Sequence, residues 1–146
     1  MTFLVKPRFY SLRNTALFIS MIIFSSNSWS HGVSMKASTF IISPGNNSSV
    51  SSPFLVKFGI KHFLIAPAGE NIHKAGHYHL LIDKTEPLSM DEAIPADKHH
   101  VHFDQGETQI LLSLQPGKHT LQLVVADEEH EPFEQLISAP ITIQVK

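Results

Sequence analysis

The stretch Leu114–Asp127, LQPGKHTLQLVVAD, decides the fold. Pro116-Gly117 supplies a tight turn, and the run Lys118–Ala126 behind it is rich in the residues that suit a pleated strand. Working outward, six further short segments read as strands: Ser38–Ile42, Phe54–Ile60, His77–Asp83, His99–Phe103, Thr108–Leu114 and Pro140–Lys146. Phe54, Val56 and Phe58 alternate against Leu55, Lys57 and Gly59, and Tyr78, Leu80 and Ile82 alternate against His77, His79 and Leu81. That period of two is the mark of a strand with one face on a core. The connections carry turn chemistry: PGNNSS at Pro44–Ser49, Pro67-Ala68-Gly69 within Lys61–Ala75, Pro87 and Pro95 within Lys84–Lys98, and an acidic loop, Asp127–Glu134. Little reads as helix.

Seven short strands separated by turns predict an all-β protein, specifically a seven-stranded immunoglobulin-like β-sandwich. The opening stretch resembles the turn and penultimate strand of many immunoglobulin-like domains, in which a ring residue after the turn packs at the corner; His119 takes that place. An eight-stranded barrel or jelly roll is the alternative arrangement.

The chain has 146 residues. Lys6, Arg8 and Arg13 form a basic start, Thr15–Phe24 an apolar run, and SSNSWS a small polar segment in which Ser28 and Ser30 fit a cleavage site. Residues 1–30 therefore read as an export signal and 31–146 as one domain, placed in the periplasm or secreted. An uncleaved anchor is disfavoured, because ten apolar residues fall short of the roughly 20 that span a bilayer. Three of the 11 basic residues precede position 31 and all 13 acidic ones follow it, leaving eight against 13 and a net charge of −5. Such a balance argues against nucleic acid and against anionic membrane surfaces. No cysteine is present, which excludes disulfides and thiolate metal sites.

The chemistry sits in the histidines, 10 in all. His77/His79 and His100/His102 are His-x-His pairs on strand-like segments, so each pair presents two imidazoles on one face. Pairing these two strands antiparallel, with Asp83 opposite Lys98, puts His79 opposite His102. Facing Cβ atoms are then about 5 Å apart, close enough for two imidazoles to share an ion. His119 and His130 bracket the sixth strand and approach the same sheet if it neighbours the third. Zinc accepts imidazole and carboxylate ligands, and copper(II) favours imidazole nitrogen. The candidate ligands are thus His77, His79, His100, His102, His119 and His130, with copper or zinc as the ion and Asp83, Asp104 or Glu107 as ligands or orienting carboxylates. Neutral imidazole is the ligand form, so affinity should fall as pH drops through the range near 6.5.

The other reading of these residues is a hydrogen-bonded polar cluster that orders the sheet of an envelope module binding protein or glycan. If cleavage follows Ser30, His31 adds a second copper arrangement, amine plus imidazole, as in copper carriers and copper oxygenases with an amino-terminal histidine. The reading is non-enzymatic, since the sequence lacks a nucleophile elbow, HExxH, a phosphate loop and cysteine. A metal-dependent enzyme with an open coordination position is the third and least favoured reading.

Three strings in order, PAG with GHYHLLID (Gly76–Asp83), IPADKHHVHF (Ile94–Phe103) and LSLQPGKHTLQLVVADEEH (Leu112–His130), resemble the bacterial domain-of-unknown-function family 4399. The likeness runs from about Phe40 to Val145. His77, His79 and Asp83 match its first motif, His100, His102 and Phe103 its second, and Pro116, Gly117, His119, Asp127 and His130 its third. Tyr78 stands where a middle histidine is common, and DQGETQ at Asp104–Gln109 replaces the usual GxGQTE. The resemblance implies a small exported β-domain and that His77, His79, His102, His119 and His130 belong together.

Overall fold

The computed structural model describes Lys36–Lys146 except Asn71, His73 and Thr85. The proposed export signal and His31 lie outside the described residues. Ten strands follow in order: β1 (Ser38–Ser43), β2 (Ser48–Val50), β3 (Phe54–Lys61), β4 (Leu64–Ile65), β5 (Ala75–Ile82), β6 (His100–His102), β7 (Gln109–Leu112), β8 (Gly117–Ala126), β9 (Pro132–Ile137) and β10 (Ile141–Val145). Among the described residues there is no helix, hence none long and apolar enough to cross a membrane.

The strands form two open sheets, and each of the seven expected strands is present within a residue or two of its expected limits. Three more were hidden. β2 and β4 are only three and two residues long and each pairs in parallel with one neighbour, β10 and β5 respectively, too short to show a period. β9 emerges from the segment read as an acidic loop; it opens on a proline, exposes Glu134 and Gln135, and meets β8 across a register shift.

The smaller sheet has the order β1-β3-β7 and is antiparallel throughout. The larger runs β2-β10-β8-β5-β4, with β6 on β5 and β9 on β8. Alternation sorts the side chains. Phe54, Val56 and Phe58 of the smaller sheet share one core with Tyr78, Leu80, Ile82, Leu121, Leu123, Val125 and Ile143 of the larger. Phe58 sits at its centre, its ring 5.3 Å from Tyr78 and 4.8 Å from Phe103. Burying each such side chain contributes about 1.5–3 kcal/mol relative to exposure, so this core supplies most of the force holding a cysteine-free chain.

β5 departs from simple amphipathicity. All eight of its residues are buried. Its core-facing residues are apolar; on the other face lie His77, His79 and Leu81, and Leu81 joins Val124, Ala126 and Ile94 in a second small apolar cluster. The connection between β5 and β6 covers that face, with Ile94 reaching back onto the sheet.

Candidate metal centre

β5 is held on both edges, by β8 along its length and by β6 at its middle. The ladder places His79 opposite His102 and Leu81 opposite His100, the register expected from the sequence. On the other edge His77 faces Ala126 and His79 faces Val124. Ala126 is small, which leaves room for rings above it. Gly76 performs a related task one residue earlier: a Cβ there would lie 2.4 Å from the Ala126 carbonyl oxygen, so only glycine lets β5 approach β8 this closely beside the site.

Four imidazoles converge on this face. His77 and His79 are each 1% exposed, and His102 and His130 are half-buried. One ring nitrogen from each lies within 4.8 Å of all the others, a group able to hold a metal ion. His77 Nε2 and His79 Nε2 are 2.9 Å apart. The His79 and His102 rings stack at 18° with centroids 4.8 Å apart, and His130 stands edge-on to the other three at 4.7 to 5.6 Å.

The fit to a metal is tested by polar atoms that lack partners. His79 Nδ1 and His102 Nε2 are fully buried and make no hydrogen bond. Leaving such an atom unpaired costs about 1–3 kcal/mol. A metal ion among the four rings would give His102 Nε2 its missing partner. Tetrahedral zinc with ligands at about 2.0–2.1 Å sets neighbouring nitrogens about 3.3–3.4 Å apart, a spacing the group reaches by small ring movements.

Electrostatics keep the rings in their ligating form. Burial pushes the His77 pKa down to about 4; the His102 and His130 rings lower it further, and Asp127 and Asp104 only partly oppose them. Burial takes His79 down to about 3, assisted by His77, His102 and His130. His102 is lowered by burial and by His130, against Asp104 and Glu107. At neutral pH these three imidazoles are uncharged, with lone pairs free of protons.

His100 and His119 lie apart from this group. His100 Nδ1 donates to Asp97 Oδ1 at 2.8 Å, its ring turned toward a cavity of about 210 Å³ beneath the β5–β6 connection. His119 has both nitrogens engaged by acceptors, Nδ1 at 2.7 Å from Asp83 Oδ2 and Nε2 at 2.9 Å from the Gln115 carbonyl. Two acceptors call for two N–H groups. Burial pulls the His119 pKa down, but the Asp83 and Gln115 bonds and the Asp83 charge outweigh it, and the net shift is upward. His119 thus ties the β7–β8 turn to Asp83 at the end of β5 and takes no part in the four-ring group. His99 Nδ1 donates to the Ile82 carbonyl at 2.9 Å and is likewise occupied.

His130 arrives by a route that strand periodicity does not reveal. It belongs to the turn between β8 and β9, where its φ of 69° lies in the left-handed region. The sequence offers it as a candidate through its place just beyond the sixth strand, although its neighbours at 128, 129 and 131 are acidic.

Residues 56–146 match the profile of a domain of unknown function, DUF4399. The chain belongs to this family. The matched region contains all four converging histidines, so within DUF4399 the site lies inside the family domain and not in an appended segment. No curated protein and no solved structure matches the chain.

Proposed function

We propose that this protein is an exported, non-enzymatic metal-binding module that holds copper or zinc through His77, His79, His102 and His130. The observation that carries the reading is the convergence of four imidazoles, those of His77 and His79 buried, with His102 Nε2 unpartnered. An all-imidazole set suits zinc and copper and is poor for calcium or magnesium, which take oxygen ligands. Four ligands complete a tetrahedral sphere, whereas catalytic zinc sites keep a position open; this supports holding an ion over acting through it. We further read the two sheets as a variant of the immunoglobulin-like sandwich, and the basic and apolar start of the chain as the signal that takes it to the periplasm or beyond.

Titration of the purified protein with copper(II) and zinc tests the site. A His77/His79/His102 triple alanine variant should abolish tight binding, and a His100→Gln/His119→Gln variant should retain it. Weak binding unchanged by the triple substitution would overturn the metal reading and leave a hydrogen-bonded polar cluster in an envelope interaction module. Mass spectrometry of the exported protein tests cleavage after Ser30.

A further inference from the structure

His77 and His79 stand on a strand paired along both edges, and His102 on the strand beside it. His130 has no such support. It is the last of three residues, Glu128, Glu129 and His130, joining Asp127 to Glu131 across a narrow pair. Asp127 N–H donates to the Glu131 carbonyl at 3.0 Å, and His130 N–H donates to the Asp127 carbonyl at 3.1 Å. A three-residue hairpin loop of this type ends on a left-handed residue, a place glycine or asparagine takes most readily. Here a histidine occupies it.

What closes the turn is the Asp127 side chain. Its Oδ1 accepts the N–H of Glu129 at 2.9 Å and the N–H of Glu131 at 2.9 Å. These two amides flank His130, so one oxygen fixes the backbone on both sides of the ring-bearing residue. One further backbone bond, from Ile94 N–H to the His130 carbonyl at 3.0 Å, ties the turn to the β5–β6 connection.

We propose that Asp127 is the positioning residue for the fourth imidazole: by capping the Asp127–Glu131 turn through hydrogen bonds, it holds His130 over the other three rings. It acts through acceptor geometry; its charge is incidental to that task. The proposal rests on the metal-binding reading for its affinity consequences, but the placement of the ring does not require a bound ion.

Asp127→Asn and Asp127→Ala separate the two roles, because asparagine keeps the accepting oxygen and loses the charge. In copper(II) and zinc titrations Asp127→Asn should match the unsubstituted protein, while Asp127→Ala should lose about 10- to 100-fold in affinity, the range for orienting partners of metal ligands. Asp127→Ala should also release metal faster and show one fewer coordinated nitrogen in the copper(II) electron spin resonance spectrum, as should His130→Ala. Equal losses in both Asp127 variants would overturn the proposal in favour of a purely electrostatic role, and no loss in Asp127→Ala would overturn it outright. NMR of the metal-free protein gives a readout independent of metal: contacts between the His130 ring and His77 or His102 should persist in Asp127→Asn and vanish in Asp127→Ala. If neither metal binds the unsubstituted protein, the functional reading fails, and these ring contacts still decide the proposal: persistence in Asp127→Ala overturns it.

Discussion

His77 Nε2 and His79 Nε2 lie 2.9 Å apart on a face of β5 that solvent does not reach. Without an ion, one ring must donate to the other; with an ion between them, both present lone pairs. Binding to the folded state alone stabilises it by mass action, about 2.7 kcal/mol at a free metal concentration 100 times the Kd. Zinc or copper should therefore raise the unfolding midpoint, a chelator should reverse the rise, and His79→Ala should remove it. Calorimetry with and without chelator makes the comparison.

Acid should destabilise the metal-free protein. An unfolded histidine takes up its proton near pH 6.5, whereas folded His77 and His79 do so only near pH 4 and 3. Between these limits the unfolded chain binds more protons, so stability is fully present above about pH 6.5 and is lost as pH falls toward 3. Unfolding should take up about two protons near pH 5, seen as a falling denaturant midpoint in chelator between pH 7 and 5. A flat profile there would contradict the burial of these rings. The same lowering carries proton competition for metal well below the pH 6.5 that the sequence alone suggests.

His119 has the opposite sign. Its folded pKa is raised, so its contribution is fully present below about pH 6.5 and is lost as pH rises through the folded value. Asp83→Asn removes the charged acceptor at 2.7 Å. This variant should lose stability most at acidic to neutral pH and converge on the unsubstituted protein in alkali, while metal affinity stays unchanged. Denaturant titrations at pH 6 and 9 test it.

Gly76→Ala should cost about 1–3 kcal/mol, the usual range for overpacking, because the obstacle is a backbone carbonyl and not a mobile side chain. The added methyl pries β5 from β8 beside His77, so metal affinity should fall along with the unfolding midpoint.

His130→Gly should do the reverse of most site substitutions. A non-glycine residue at φ 69° carries roughly 1 kcal/mol of backbone strain, which glycine relieves. The variant should unfold at a higher denaturant concentration without metal, yet bind metal more weakly. Paired unfolding and titration curves would show both.

Much of this arrangement was legible in the residues. Alternation at Phe54–Phe58 and Tyr78–Ile82 located the core-facing strands, and the antiparallel pairing that sets Asp83 opposite Lys98 gives the His79–His102 register observed. Convergence was harder to see. His100 shares the strand, the spacing and the face of His102, yet Asp97, three residues away, captures its Nδ1. Local hydrogen bonding of that kind overrides periodicity. Asp127 was visible as a motif residue, but its hold on Glu129 and Glu131 depends on a turn geometry that composition reads only as acidity.

β5 is enclosed on both faces and flanked along both edges. Its amides should exchange with deuterium only when the whole domain opens, whereas those at 128–130 have one hairpin loop to protect them. A cargo resting there would have a floor as lasting as the fold and a ceiling as brief as one turn, so residence time and thermal endurance can be tuned separately.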